Sequence, residues 1–344
     1  MGVNLRVLIP KTAIDFKILS NKSVAIDAYN ALYQFLAIIR QPDGTPLKDR
    51  TGKITSHLSG LFYRSAKLAE MGVKVVYVFD GVAPDLKEAE IQRRAKVKAE
   101  ALVKYEQARK EGDMEKARRY AQMTSKLKSY MLDDSKRLLT EMGIPWIQAP
   151  EEGEAQAAYI TIKGDADYCS SQDYDSLLFG ATSLVRNVTI SGRRKVPRQN
   201  RYIEVVPEVM KLNTALKELE ITREQLVDIA ILVGTDFNPE GIKGVGPKTA
   251  YKLIKEHGNL EQALTTLENA EFPVDPQKIR DIFLNPKVTD DYTLDWKQPN
   301  VDGVVDFLCR EKDFSENRVR STLKRMVDGM RESKSKRTLE SWFG

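Results

Sequence analysis

The sequence predicts an α/β fold with a central, mostly parallel twisted sheet flanked by helices. Short apolar runs at residues 23–28 and 73–81 are separated by a stretch of helical periodicity over residues 54–71. A strand, a helix and a second strand in that order favour parallel pairing. Both runs also end on acidic residues, and ligands of open parallel sheets bind beyond the carboxyl ends of the strands. The expected fold therefore places an acidic site at one edge of the sheet.

The first two strands each contribute one aspartate to that edge. Residues 23–28 carry Asp27 and precede a helical stretch over residues 29–40, and residues 73–81 carry Asp80. Each aspartate alone would be an ordinary turn residue. Together with Asp173 after a third predicted strand, three such aspartates make that explanation hard to keep.

A third strand, predicted at residues 168–171, is followed by the pair Asp173 and Asp175. Residues spaced i, i+2 in extended chain point to one face, so the two carboxylates would share one small volume. Their repulsion is relieved by a hard cation with oxygen ligands, Mg²⁺ first and Mn²⁺ second. The alternative is that both aspartates only cap the turn before Ser176.

Three further acids follow short apolar elements. Glu152 and Glu154 come after a predicted strand at residues 144–149, and they can face one site only from the irregular first turn of the next helix. Stabilisation of the helix dipole would explain the same two residues. Asp236 lies just beyond an apolar helix that ends at Gly234.

Residues 84–133 form an insertion rich in Ala, Glu, Lys, Arg and Gln, predicted as two helices joined near residues 111–113. From Lys87 to Lys128, thirteen Lys and Arg stand against seven Asp and Glu, a net charge of +6 compared with +5 for the whole chain. A solvated helix pair with internal ion pairs has this composition. Because the insertion directly follows Asp80, it also suits a polyanionic substrate.

A glycine-rich turn at residues 241–250 lies between two helical segments and carries Lys243 and Lys248 beside Gly244 and Gly246. Backbone amides at such a helix start can hold a phosphate, as in a helix-hairpin-helix clamp that positions DNA without reading its sequence. A plain packing corner between two helices remains the alternative.

Composition excludes several classes of protein. The 344 residues contain two cysteines and two histidines, which is typical of a reducing compartment and gives no zinc set. No apolar run reaches the roughly 18 residues of a membrane span, and the N-terminus has no signal-peptide pattern.

Residues 331–344 read as a polar linker followed by Leu339, Trp342 and Phe343. These apolar side chains indicate a docking peptide, or else they fold back onto the body.

Taken together, these motifs resemble the flap endonucleases along the whole chain. The matching segments are Asp-Ala-Tyr-Asn-Ala-Leu-Tyr-Gln-Phe-Leu at 27–36, Thr-Ser-His-Leu at 55–58, Val-Tyr-Val-Phe-Asp-Gly at 76–81 and Ala-Pro-Glu-Glu-Gly-Glu-Ala at 149–155. The Asp-Tyr-Asp stretch and Gly-Thr-Asp-Phe at 234–237, with the glycine turn behind it, complete the set. The tail after the last helix is short, which is typical of archaeal members and implies a cytoplasmic location; a eukaryotic relative would be nuclear.

The resemblance implies a catalytic centre of seven acids that hold two Mg²⁺ ions, with Mn²⁺ as the second choice. These acids are Asp27, Asp80, Glu152, Glu154, Asp173, Asp175 and Asp236. The insertion would be the helical arch of the family, and Lys87 and Arg94 match its catalytic positions beside the scissile phosphate. K⁺ or Na⁺ is expected at the glycine turn.

DNA contacts are also implied by the resemblance. Tyr33 matches the aromatic residue that stacks on a base, and removal of Met1 would leave Gly2 as an N-terminus close to the site. The full set of expected DNA-binding residues is Gly2, Tyr33, Arg40, Arg64, Lys87, Arg94, Lys243, Gly244, Gly246 and Lys248.

The tail is similar to the family's docking motif for a PCNA-type sliding clamp, matched by Leu339, Trp342 and Phe343, although Lys336 stands where the motif has Gln. The expected organisation is one nuclease domain over residues 1–330, with the arch at 84–133 and the helix-hairpin-helix element at 226–258, followed by a flexible tail over 331–344. Apart from the clamp, a monomer is expected.

The implied activity is metal-dependent hydrolysis of a phosphodiester at the base of 5′ flaps, with associated 5′–3′ exonuclease activity, in Okazaki fragment maturation and repair. Two other hypotheses fit parts of the sequence. A processive 5′ exonuclease or bubble-cutting repair nuclease would share the acids. A non-catalytic DNA-junction binder or clamp adaptor would keep the basic arch and the glycine turn but would not need all seven acids.

Overall fold

The structure is a computed structural model that describes residues 2–189, 193–195, 202–267 and 272–343. Within these ranges the side chains of residues 85, 89, 193–195, 202–203 and 334–343 are not described. Along the described part of the chain, no helix has the length and the apolar character that crossing a lipid bilayer requires.

In the described parts of the chain, nine strands form two sheets. They are β1 (Thr12–Ala13), β2 (Ser23–Asp27), β3 (Lys74–Phe79), β4 (Trp146–Gln148), β5 (Tyr168–Ser170), β6 (Ser183–Arg186), β7 (Arg193–Lys195), β8 (Tyr202–Glu204) and β9 (Glu208–Lys211). Seven of them form one sheet in the order β1-β9-β6-β5-β2-β3-β4, while β7 and β8 pair separately. Strands β6, β5, β2, β3 and β4 are parallel, whereas β9 pairs antiparallel with β6 and β1 pairs antiparallel with β9 at the edge.

The helices connect and cover this sheet. They are α1 (Ala28–Ile38), α2 (Ser56–Glu70), α3 (Glu88–Lys110), α4 (Met114–Met123), α5 (Ser129–Glu141), α6 (Gly153–Ile162), α7 (Asp175–Leu178), α8 (Leu212–Leu219), α9 (Arg223–Val233), α10 (Pro247–His257), α11 (Leu260–Leu264), α12 (Pro276–Leu284), α13 (Val301–Val305) and α14 (Glu316–Phe343). Short 3₁₀ turns lie at Phe16–Leu19 and Asp85–Lys87, and a π-helix lies at Asp306–Glu311.

The large sheet is buried on both faces, which explains the continuous apolar character of its strands. Alternate residues of β3 enter opposite cores: Val76 and Val78 pack with α6, α7 and α9, whereas Val75 and Tyr77 pack with α1, α2, α5 and α14. The predicted α/β class and the mostly parallel sheet are confirmed. The sequence did not indicate the antiparallel edge strands, because they are short and follow loops rather than crossover helices.

The basic insertion consists of α3 and α4, which pack against each other and are joined at residues 111–113 as predicted. Gly112 makes this turn with a φ of +73°, in the left-handed region that favours glycine. The next helix, α5, begins before the predicted end of the insertion at residue 133 and buries Met131, Leu138 and Leu139 in the core of the body. The insertion formed by α3 and α4, together with the 3₁₀ turn Asp85–Lys87 that leads into α3, is called the arch below.

Helix α14 extends through most of the region for which the sequence predicts a flexible tail. Residues 331–340 are rich in Lys, Arg and Glu, which favour helix, and they contain no Gly or Pro that would end it. The side chains of Lys336, Leu339, Trp342 and Phe343 lie outside the described residues, so their docking role stays a prediction.

Candidate functional site

The carboxyl edge of the parallel strands gathers the acids. Asp27 is the last residue of β2, Asp80 follows β3 directly, and Asp173 follows β5. The register of β2 with β3 and with β5 brings these strand ends side by side. Asp27 is 8% exposed and Asp175 is 5% exposed, so this is a recessed site rather than a solvated acidic surface.

Hydrogen bonds fix the acids relative to one another. The Asp27 carboxylate caps α1 by accepting from the Asn30 backbone N–H at 3.0 Å, and the Asn30 side-chain amide donates to Asp173 Oδ2 at 3.2 Å. Asp80 Oδ1 accepts from the Gly153 N–H at 2.7 Å, which ties the end of β3 to the start of α6. The site is therefore held by backbone elements and not only by side-chain packing.

The first turn of α6 and the N-terminal segment complete this edge. Glu154 Oε1 accepts from the Ser176 hydroxyl at 3.0 Å, and Asp175 Oδ1 accepts from the Val3 N–H at 2.8 Å. A Cβ placed on Gly2 would lie 2.5 Å from Asp175 Oδ1, so only glycine fits here without a shift. The structure thus places Gly2 against the acids, as expected, while its role with DNA stays a prediction.

Two basic side chains of the arch, Lys87 and Arg94, reach the acids of the site. Lys87 Nζ lies 2.6 Å from Glu152 Oε2 and 3.7 Å from Asp236 Oδ2. Arg94 Nη2 donates to both oxygens of Asp236, at 2.7 and 2.6 Å. The two basic residues singled out from the sequence therefore meet the acids directly, and they neutralise part of the charge there.

Burial and mutual repulsion raise the pKa of four carboxyl groups. Burial is the largest cause at Asp80, where Glu152 adds to it and the pKa rises to about 6, and at Asp175, where Asp236 and Asp173 add to it and the pKa rises to about 7. Burial and neighbouring carboxylates also raise the pKa of Asp27 and Glu154 well above the usual range. The carboxylates of this site therefore carry more negative charge than Lys87 and Arg94 neutralise.

The donor chemistry of this site fits a hard divalent cation, because its side chains are mainly carboxylates and carboxylate oxygens are the ligands that Mg²⁺ prefers. Among the described residues, no three Asp, Glu, His or Cys side chains are already arranged to hold a metal ion. Glu152 and Asp236 instead bind the arch cations. In this structure Lys87 and Arg94 supply part of the positive charge that a bound metal would bring to these carboxylates.

Comparison with known proteins identifies the family. The model of the XPG N-terminal domain matches residues 1–101, and that of the XPG I-region matches residues 143–236. The flap endonuclease 1 of Staphylothermus marinus is 54% identical over 349 residues, which cover all of both chains. The chain belongs to the flap endonuclease family. The resemblance drawn from the motifs is confirmed, and so is the nuclease class.

Two solved structures show the same fold. The flap endonuclease-1 of Methanococcus jannaschii superposes with a TM-score of 0.75 at 41% identity, covering 96% of this chain and 99% of its own. The catalytic core of Rad2 in complex with DNA substrate superposes with a TM-score of 0.67 at 25% identity, covering 92% of this chain and 96% of its own.

The remaining residues that the sequence suggested as DNA contacts lie in several parts of the fold. Tyr33 is half-buried on α1, with the Lys98 ammonium of the arch 4.7 Å from its ring centre. Arg40 donates to the carbonyls of Leu36 and Gly44 and to the Ser125 hydroxyl, each at 2.9 Å. These bonds tie Arg40 to the protein itself at the end of the arch, so any contact with DNA would have to share or break them.

Arg64 lies on α2 and donates through Nε to the Val188 carbonyl at 2.7 Å. Its guanidinium also stacks on the Phe16 ring at 5.1 Å, and burial lowers its pKa to about 10. These contacts place Arg64 beside the β6 end of the sheet, and its expected role in DNA binding stays a prediction.

The glycine turn connects α9 to α10 and is open to solvent. Lys243, Gly244, Gly246 and Lys248 are all exposed, and a Cβ on either glycine would meet no atom within 4 Å. Gly244 has a φ of +82°, and Gly246 is the N-cap of α10, with Pro247 in its first turn. The turn can therefore present backbone to a ligand, as the helix-hairpin-helix interpretation requires.

Sequence reasoning missed two residues of this flap endonuclease site. Asn30 bridges Asp27 and Asp173, and Gln34 donates to its Oδ1 at 2.9 Å. Glu90 of the arch binds Arg94 at 2.6 Å. The i, i+4 spacing of Glu90 and Arg94 is visible in the sequence, but it is common on solvated helices and does not single out this pair.

Proposed function

We propose that this protein cuts the phosphodiester at the base of 5′ flaps in branched DNA, releasing the single-stranded flap and leaving a 5′-phosphate. The convergence of acids at one sheet edge beneath a basic arch carries the proposal, together with full-length similarity to flap endonucleases. Stepwise 5′–3′ exonuclease cleavage would use the same site. Okazaki fragment maturation and DNA repair are the processes that supply such substrates.

Two Mg²⁺ ions, with Mn²⁺ as a substitute, would be held by the seven acids: Asp27, Asp80, Glu152, Glu154, Asp173, Asp175 and Asp236. When bound, the metal supplies Lewis-acid chemistry, lowering the pKa of a water and stabilising charge on the departing 3′ oxygen. The raised pKa values of Asp80 and Asp175 support this assignment, because carboxyls that resist ionisation are those a divalent charge would relieve.

Lys87 and Arg94 would act on the phosphate. In the structure both bind carboxylates, so an incoming phosphodiester offers them a replacement partner of the same charge. Arg94 can give two parallel N–H groups to two phosphate oxygens, whereas Lys87 supplies a compact charge. Both would stabilise the negative charge that grows on the phosphoryl oxygens during in-line attack.

The DNA would be held mainly through its backbone. The exposed glycine turn at residues 243–248 would contact phosphates of the duplex and bind K⁺ or Na⁺ through backbone carbonyls, while Tyr33 would stack on the base next to the cut. The net charge of +6 between Lys87 and Lys128 would guide the single-stranded flap into the arch. Junction geometry rather than base sequence would select the cut.

The tail at residues 336–343 would dock on a PCNA-type sliding clamp in the cytoplasm, with the protein otherwise monomeric. Lys336 in place of Gln would weaken this docking.

A substrate panel tests the proposed function. Labelled double-flap, single-stranded and blunt duplex DNA are incubated with the protein in Mg²⁺ and again in EDTA. Release of the 5′ flap in Mg²⁺ alone, with little cutting of the two other substrates, is the expected result. Tight binding that is equal in EDTA and leaves every substrate whole would favour a junction-binding protein instead.

A further inference from the structure

Glu90 stands out among the carboxylates of the arch because its side chain is only 1% exposed although it lies on a solvated helix. It belongs to the first turns of α3, one helical turn before Arg94. Oε1 accepts from Arg94 Nε at 2.6 Å and from Arg93 Nη2 at 2.9 Å, and Oε2 accepts from Arg93 Nε at 2.6 Å. Both oxygens thus accept hydrogen bonds from guanidinium groups.

The consequence for Arg94 is geometric. A guanidinium is planar and rigid, so fixing one edge fixes the direction of the other. Glu90 holds the Nε of Arg94, and Nη2 of the same group reaches both oxygens of Asp236. The Arg94 guanidinium therefore bridges two carboxylates: Nε is bound by Glu90 of the arch, and Nη2 is bound by Asp236 among the catalytic acids.

An ordinary ion pair on a helix surface would not have these features. Exposed i, i+4 pairs are loosely held and contribute little, whereas this carboxylate is enclosed by its partners. Burial alone would raise the pKa of Glu90, but the hydrogen bonds from Arg93 and Arg94 outweigh it and keep the pKa below the usual value. The group is therefore a fixed negative charge beside Arg94.

We propose that Glu90 is a positioning residue for cleavage: it holds Arg94 by its Nε edge so that the Nη edge stays aimed at the acids when the scissile phosphate replaces Asp236. This inference rests on the proposed function, because it assigns Arg94 to the phosphate. Glu90 itself touches neither the substrate nor the catalytic acids. Its contribution should therefore appear in the rate of chemistry rather than in DNA affinity.

The test compares Glu90→Gln with Glu88→Gln, which makes the same change of charge in the same helical turn at an exposed side chain. Single-turnover cleavage of flap DNA in Mg²⁺ is measured together with the Kd for the same DNA. Glu90→Gln should slow cleavage by about 10- to 100-fold, the size of effect that a misplaced catalytic group produces. Its Kd should stay the same or tighten, because one negative charge is lost near the DNA. Glu88→Gln should cleave within about twofold of wild type.

Combined variants separate positioning from helix stability. With Arg94→Ala already present, Glu90→Gln should have almost no further effect on the rate, while with Arg93→Ala it should keep its full effect. Glu90→Asp keeps the charge but draws it back from Arg94, so this variant should also slow cleavage and provides a second probe should Glu90→Gln fold poorly.

Three outcomes would overturn the inference. An equal loss of rate in the Arg94→Ala background would mean that Glu90 acts independently of Arg94. A loss that appears in Kd alone would assign Glu90 to DNA binding. Near-wild-type cleavage by both Glu90 variants would show that Arg94 needs no such support, while flap cleavage by wild type would leave the proposed function intact. A wild-type protein that does not cut would refute the proposed function itself.

Discussion

Replacing Asp175 by Asn should stabilise the metal-free protein while abolishing its cleavage activity. Asp175 is 5% exposed and lies near Asp173 and Asp236, and these surroundings raise its pKa from 3.8 to about 7. Asn keeps the oxygen that accepts the Val3 N–H but carries no charge. The substitution therefore removes electrostatic repulsion without emptying the site.

The size and sign of the effect follow from the two pKa values. Between pH 3.8 and about 7 the folded protein holds a proton that the unfolded chain has lost, so the free energy of unfolding of wild type falls as the pH rises through this window. Three pH units correspond to about 4 kcal/mol at most, equivalent to a Tm difference of roughly 5–10 °C. Asp175→Asn should lose this pH dependence, so its advantage should grow from near zero at pH 4 to its full value at pH 8.

Thermal unfolding in EDTA across this pH range measures the difference directly. Asp302→Asn serves as the control, since that side chain is 91% exposed and should show no comparable shift. Added Mg²⁺ should raise the Tm of wild type more than that of Asp175→Asn, because the variant has lost a ligand. A variant that is less stable than wild type at pH 8 in EDTA would refute the electrostatic argument.

Three further substitutions test other parts of the site. Lys87→Ala should slow single-turnover cleavage by about 100-fold or more with little change in Kd, because Lys87 acts on the charge that develops on the phosphate. The control is Lys110→Ala, at an exposed position of the arch. An equal loss of rate in that control would mean that the total charge of the arch, and not the position of Lys87, determines the rate. Asn30→Ala removes the donor to Asp173 Oδ2, so the Mg²⁺ concentration for half-maximal rate should rise by about tenfold. The cleavage rate at saturating Mg²⁺ should return to that of wild type. An unchanged Mg²⁺ requirement would contradict this role of Asn30. Gly246→Ala adds a Cβ in open space at an ordinary φ of −88°, so the Tm should fall by no more than about 2 °C, the effect expected when Ala replaces Gly at an N-cap. A several-fold weaker Kd for duplex DNA would reveal close approach of the phosphates. Unchanged affinity would favour the packing-corner interpretation.

The sequence predicted the sheet edge well because each element ends in a recognisable way. Apolar β-branched runs that stop at Asp27 and Asp80 define both the strands and the direction in which their acids point. Parallel pairing then brings the ends together without further information. The seven acids could be named from motifs, and the structure gathers them from elements far apart in the chain.

Other features depend on packing that no local pattern encodes. The place of α5 in the core of the body follows from contacts made by Leu138 and Leu139, which the basic composition of the preceding segment conceals in the sequence. Asn30 looks like any polar residue in a first helical turn until Asp173 is placed beside it. Arg40 and Arg64 show the converse, since their guanidinium groups, named as DNA contacts, donate to backbone carbonyls of the protein itself.

Flap cleavage by wild type and by Asp175→Asn, compared side by side with DNA affinity measured on the same samples in Mg²⁺, shows whether these acids form the catalytic metal centre. Both proteins should bind double-flap DNA, only wild type should release the 5′ flap, and EDTA should stop the reaction. Release of the flap by Asp175→Asn at a rate near that of wild type would contradict the assignment of these acids as the metal-binding catalytic centre.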